Sequence, residues 1–222
     1  MKIVDNFLNR EDFFFVKESI LGSRMYWLYE DHKVSKNDND LQATQFYHMF
    51  CEFYNPSNLI YMVEPIFKKL NIIALYRIKA NLEPYKGNQK YCSDFHYDFT
   101  SPNTGKPNKE MKTGIFYLNT NNGYTEFEDG TIVESIENRF VEFSSDTLHR
   151  GVSSTDVKKR IVVNFNYFSD VKDGGYTQFN TGLKIHPEAG KMMIFPALWP
   201  WMHRGYPPKT ETKYIVTGWL KC

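Results

Sequence analysis

Ile73-Ala74-Leu75-Tyr76-Arg77-Ile78-Lys79-Ala80-Asn81-Leu82 is the stretch from which the fold is read. Leu75, Arg77, Lys79 and Asn81 fall on one side, and Tyr76, Ile78, Ala80 and Leu82 on the other. That period of two belongs to a β-strand with unlike faces. Arg160-Ile161-Val162-Val163-Asn164-Phe165-Asn166-Tyr167-Phe168 repeats the pattern, with Ile161, Val163, Phe165 and Tyr167 opposed to Arg160, Val162, Asn164 and Asn166. Between the two, strands are predicted over 114–118, 131–133 and 139–143. Turn residues separate the strands: Asn121-Asn122-Gly123, Asp129-Gly130 and Ser153-Ser154-Thr155-Asp156.

Upstream the period changes. Phe13, Phe14, Val16, Ile20 and Leu21 recur near helical spacing, with Asn9 as a cap, Asp12 in the first turn and Gly22 as a stop. Leu59, Ile60, Val63, Ile66, Phe67 and Leu70 predict a second helix over 57–70, and the polar stretch 30–41 reads as a loop. Helices first and many short strands afterwards predict an α+β, mainly β chain. The architecture expected is a jelly-roll-like barrel with supporting N-terminal helices.

Composition agrees and excludes several classes. The 222 residues suit one domain with at most an appendage. A formal charge of +1 gives no general attraction to nucleic acid or membrane. The 18 Phe, 15 Tyr and 4 Trp favour pleated, half-buried surfaces. Cys51, Cys92 and Cys222 are too scattered for a disulfide framework or a zinc set, so a reducing, intracellular setting is expected. No signal core or membrane-length apolar run is present, which predicts a soluble, cytoplasmic protein.

An internal repeat adds a complication. Gly123-Tyr124-Thr125-Glu126-Phe127 recurs as Gly175-Tyr176-Thr177-Gln178-Phe179, and His149-Arg150-Gly151 as His203-Arg204-Gly205. A basic residue then opens an apolar strand in both places, at Arg160-Ile161-Val162-Val163 and Lys213-Tyr214-Ile215-Val216. Three matches in register predict a duplicated half-domain.

The chemistry lies in His96-Tyr97-Asp98, then His149, then Arg160. On a strand, His96 and Asp98 would share a face. Two imidazoles and a carboxylate on one side of a metal leave the other side open, which suits non-haem Fe(II). The guanidinium of Arg160 matches the far end of a dicarboxylate. Each part also has a plainer reading: an HxD on the surface, a loop histidine, a charge on an edge strand. A zinc hydrolase fits less well, since no separate general base is supplied and the basic residue would be idle.

The set resembles the 2-oxoglutarate/Fe(II)-dependent dioxygenases, in the branch similar to prolyl 4-hydroxylases. The likeness runs over 72–168, through the HxD, Phe116-Tyr117-Leu118-Asn119, Gly123-Tyr124-Thr125-Glu126-Phe127, His149 and Arg160. It implies a double-stranded β-helix with iron held by His96, Asp98 and His149. It implies 2-oxoglutarate held at its far carboxylate by Arg160, with Tyr117 placed to hydrogen-bond the same group. Fe(II), 2-oxoglutarate and O₂ are the cofactors and co-substrates implied, with ascorbate a further candidate. The reaction implied is oxidative decarboxylation to succinate and CO₂ coupled to hydroxylation of a C–H bond in a peptide or small molecule, peptidyl proline or similar.

Residues 169–222 depart from that pattern by resembling the distal half a second time, so His203 with Lys213 competes with His149 and Arg160. His149 is the expected ligand, because choosing His203 would force a half-domain insertion between the first and last strands. The expected organisation is therefore a dioxygenase-like domain over 1–168 and an extra distal half over 169–222. The competing class is a jelly-roll binding module that kept the fold without turnover. The stretches 33–44 and 100–112 are expected to border the site, and Tyr76, Tyr91 and Tyr97 are candidates to stack on a flat substrate.

Overall fold

A computed structural model of the chain describes residues 1–33, 42–70, 72–100, 105–107, 109, 111–169, 176–179, 184–188, 191–194 and 203–205. The strands are β1 (Lys2–Val4), β2 (Leu28–Glu30), β3 (Gln45–Glu52), β4 (Asn55–Pro56), β5 (Ile72–Pro84), β6 (Met111–Tyr117) and β7 (Tyr124–Phe127). They continue with β8 (Ile132–Glu134), β9 (Arg139–Ser144), β10 (His149–Val152), β11 (Lys159–Ser169), β12 (Thr177–Phe179), β13 (Lys184–Ile185) and β14 (His203–Gly205). Among the described residues two α-helices, α1 (Arg10–Leu21) and α2 (Glu64–Phe67), precede β5.

All pairings are antiparallel. The major sheet runs β1-β9-β6-β11-β5-β3-β2, with β4 beside β3, and the minor sheet runs β10-β7-β8. Isolated bridges Cys92↔Val152 and His96↔His149 add the segment 92–96 to the free edge of β10. From β5 to β11 the chain crosses repeatedly between the two sheets, which is the jelly-roll arrangement the alternating stretches predicted. The fold is mainly β. Among the described residues no helix is long and apolar enough to cross a membrane.

Strand faces follow the alternation. Ile161, Val163, Phe165 and Tyr167 join Ile78, Ala80 and Phe116 in a core closed by Val16 and Ile20 of α1 and Met62, Val63 and Ile66 of the second helical segment. A smaller core between the sheets holds Ile115, Tyr117, Val141, Phe143 and Val162 against Phe127 and Val133. Asn9 caps α1 as expected, accepting the Asp12 amide at 2.9 Å.

Three expectations need correction. The helix over 57–70 is instead a 3-10 turn, Ile60–Val63, followed by the four residues of α2. Pro65 has no amide proton and crowds the preceding turn, so a continuous helix cannot run through it. The alternation of β5 breaks at Tyr76. The ladder to β11 shifts between Asn166 and Tyr167, sending Leu75 to the helix-side core and Tyr76 to a separate cluster with Met111 and Phe168. Strand β3 was not foreseen, because buried Gln45 and His48 interrupt its apolar pattern.

The C-terminal strands form a third sheet, β13-β12-β14. Its register reproduces that of the minor sheet. His149 opposes Phe127 and Gly151 opposes Thr125; His203 opposes Phe179 and Gly205 opposes Thr177. Thr125 also opposes Val133, as Thr177 opposes Ile185. Lys213 lies outside the described residues.

Candidate metal centre

His96 and His149 face each other across an antiparallel bridge and exchange both backbone hydrogen bonds, at 3.0 and 3.2 Å. Each ring is then fixed by its own loop. His96 Nδ1 lies 3.0 Å from the carbonyl of Asp94, and His149 Nδ1 lies 3.1 Å from that of Thr147. A carbonyl oxygen can only accept, so both Nδ1 atoms carry a proton and the two Nε2 atoms are the ones left to meet a metal. The Nε2 of His149 is buried and has no hydrogen-bond partner. Burial, with the neighbouring His149 ring, pulls the pKa of His96 down and favours the neutral form.

Asp98 is not on a strand, contrary to the expectation for the HxD. It sits in a bend two residues beyond the bridge, with its carboxylate turned toward the major sheet. Arg77 Nη2 of β5 lies 3.2 Å from Oδ1, and Asn166 Nδ2 of β11 donates to Oδ2 at 3.1 Å. Asn166 also donates to Thr113 Oγ1 at 3.1 Å, which holds its amide in place. Burial alone would raise the Asp98 pKa, but Arg77 and the two imidazoles outweigh it and hold the carboxyl at about 2. His149 Nε2 lies 3.8 Å from Oδ1.

One ligand atom from each of His96, Asp98 and His149 lies within 4.8 Å of the others. Among the described residues this is the one such group, and His203 is outside it. Two imidazoles with their Nδ1 atoms engaged, an ionised carboxylate and a buried, partnerless ring nitrogen fit a divalent transition metal.

The three residues border a cavity of about 260 Å³ between the sheets. Its floor is the inward face of β5 and β11: Arg77, Lys79, Asn81 and Glu83 beside Arg160, Val162 and Asn164. Arg160 is 5% exposed, its Nε donates to Ser135 Oγ at 3.0 Å, and its guanidinium lies 5.9 Å from the Tyr117 ring centre. Among the described residues no carboxylate lies within ion-pair distance of it. Gly123 permits this placement: a Cβ there would stand 2.8 Å from both Arg160 Cδ and the carbonyl oxygen of Val152. Tyr117 does not border the cavity. Its hydroxyl donates to Thr125 Oγ1 at 2.7 Å, and Thr125 forms the wall in front of it.

Tyr97 borders the cavity, whereas Tyr76 packs against Phe53, Tyr54 and Phe99 elsewhere. Of the stretch 33–44, Lys33 reaches the cavity, and residues 34–41 lie outside the described set. The polar floor was missed as a set of site residues. Its signal was the run of polar residues at alternate positions 77, 79, 81 and 83, which an outward face and a lined cavity share equally.

No protein-family model matches the chain, and no curated protein matches it. Solved structures do. The non-heme alpha ketoglutarate dependent epimerase SnoN from nogalamycin biosynthesis aligns with a TM-score of 0.52 at 12% identity, covering 76% of this chain and 78% of that one. The non-heme alpha ketoglutarate dependent carbocyclase SnoK from the same biosynthesis aligns with a TM-score of 0.50 at 11% identity, covering 75% and 78%. The viral collagen prolyl hydroxylase of Paramecium Bursaria Chlorella virus-1 aligns with a TM-score of 0.47 at 15% identity, covering 76% and 95%. At these identities the likeness to SnoN and SnoK is one of fold: this chain folds as a jelly roll similar to theirs.

Proposed function

We propose that the chain is a non-haem Fe(II)- and 2-oxoglutarate-dependent dioxygenase that hydroxylates a C–H bond of a peptide or small molecule. One observation carries the reading. Two imidazoles and an ionised carboxylate come together on a cavity that also holds Arg160, buried and, among the described residues, with no carboxylate within ion-pair distance. SnoN and SnoK, on a similar fold, bear names that state alpha-ketoglutarate dependence.

In this reading His96, Asp98 and His149 would hold the iron beside the cavity they border. Arg160 would anchor the far carboxylate of 2-oxoglutarate, with Ser135 fixing its Nε. Arg77 and Asn166 would keep Asp98 ionised and oriented, as partners behind a ligand do. Bound there, the metal with 2-oxoglutarate and O₂ supplies the oxidation that yields succinate, CO₂ and a hydroxylated product. The test is succinate formation from 2-oxoglutarate with Fe(II), screened against peptide, amino-acid and nucleoside pools. Turnover lost on Asp98→Ala supports the assignment; turnover retained in that variant contradicts it.

A binding module without turnover has one observation in its favour. Arg77 approaches the same Asp98 oxygen that faces His149, where a metal would also bind. The two readings differ in whether the protein takes up stoichiometric Fe(II).

We further propose that 1–168 is the working domain and that 169–222 is a second copy of its distal half. The shared register of β14-β12-β13 and β10-β7-β8 supports the duplication. His203 is then the counterpart of His149 without an HxD of its own.

A further inference from the structure

Glu83 is surrounded by more positive charge than it can balance. Lys33 Nζ lies 3.0 Å and Lys86 Nζ 3.3 Å from its Oε1, and Arg160 faces it across the β5–β11 ladder. The side chains of Lys33, Lys86 and Glu83 are 12%, 5% and 4% exposed. Two lysines thus share one carboxylate, with the Arg160 guanidinium a third positive charge beyond ion-pair distance, in a place with little water, an arrangement that is costly without a further anion. The surroundings register the strain: burial pulls the Lys33 pKa down, and the three cations outweigh burial to hold Glu83 below the usual carboxylate range. Glu83 Oε2 is buried without a hydrogen-bond partner.

The two lysines differ. Lys86 also donates to the main-chain carbonyls of Gln42 and Thr44, the latter at 2.8 Å, so it ties down the entry to β3. Lys33 instead lines the cavity beside Gly151. A Cβ built at Gly151 would lie 3.3 Å from Lys33 Nζ and 3.9 Å from Arg160 Nη1, so both cations approach one point at that wall. One carboxylate placed there can touch both.

We propose that Lys33 is a second anchor for the far carboxylate of the co-substrate, sharing it with Arg160, and that Glu83 is the resident anion with which that carboxylate competes for Lys33. The proposal rests on the reading of this cavity as a 2-oxoglutarate site. It places part of the selection for a dicarboxylate in the N-terminal segment, fifty residues before Glu83 and outside the barrel strands.

The test is calorimetric titration of 2-oxoglutarate into the full-length Fe(II)-loaded protein without oxygen, with pyruvate as the 2-oxo acid lacking a far carboxylate. Lys33→Met should weaken 2-oxoglutarate about tenfold, whereas Lys33→Arg should stay within about threefold. Glu83→Gln removes a competing anion and should tighten binding by about threefold or more. Pyruvate should respond to neither change. If Lys33→Met and Glu83→Gln both weaken 2-oxoglutarate, or pyruvate falls with it, the Lys33–Glu83 bridge is structural and the proposal is overturned. If Arg160→Ala weakens 2-oxoglutarate and Lys33→Met does not, the second anchor alone is refuted. If wild type binds no 2-oxoglutarate, or Arg160→Ala changes nothing, the reading of the site fails first.

Discussion

Replacing Arg160 by Ala should separate co-substrate binding from metal binding. The guanidinium is buried, its Nε is held by Ser135, and no carboxylate of the described residues lies within ion-pair distance of it. A charge-assisted contact in such a place is worth about 1.5–3 kcal/mol. At about 1.4 kcal/mol per tenfold, its loss should raise the dissociation constant for 2-oxoglutarate by roughly 10- to 150-fold. Iron should be little affected, because Asp98 is held by Arg77 and Asn166 and not by Arg160. The variant leaves Ser135 Oγ buried without its donor, a cost of about 1–3 kcal/mol, set against release of an uncompensated buried cation. Thermal unfolding of the variant therefore accompanies the two titrations. A change of less than threefold for 2-oxoglutarate in a folded protein would refute the anchoring role. Equal losses for metal and 2-oxoglutarate would show instead that the whole cavity had collapsed.

Asp98→Ala should abolish Fe(II) uptake and also lower the melting temperature, since Arg77 then loses its carboxylate. The double variant Asp98→Ala/Arg77→Met should melt higher than the single one while still binding no metal; a lower melting point would show that Arg77 is not held by Asp98. Gly123→Ala should destabilise the fold by about 1–3 kcal/mol in denaturant unfolding, because its Cβ would press on the Val152 carbonyl and the Arg160 side chain. A change below about 0.5 kcal/mol would mean that the close approach relaxes freely.

What was legible in the sequence follows from how local each signal is. The inward and outward faces of β11 were readable because Ile161, Val163, Phe165 and Tyr167 all meet one helix-covered core. On β5 the same reasoning held from Arg77 onward and failed at Tyr76, where a bulge exchanges the faces. Bulges are set by the partner strand and leave no periodic mark. Strand β3 escaped because Gln45 and His48 are buried polar residues, Gln45 satisfied by Glu30 and His48 Nδ1 held at the Tyr26 carbonyl. Residues of the candidate site divide similarly. His96, Asp98, His149 and Arg160 were picked out by residue type and order. Lys33, Arg77, Glu83 and Asn166 were not, because each acquires a role only through a partner distant in sequence: Lys33 with Glu83, Arg77 and Asn166 with Asp98. Tyr117 shows the converse, a residue placed by motif whose hydroxyl is taken by Thr125.

The central claim is tested most directly by counting iron. Anaerobic equilibrium dialysis of the full chain against Fe(II), followed by metal analysis, should give one ion per chain in wild type. It should give none in His149→Ala and one again in His203→Ala. Iron kept by His149→Ala and lost by His203→Ala would contradict the account and move the site to the C-terminal repeat; no stoichiometric iron in wild type would leave the jelly roll as a binding module.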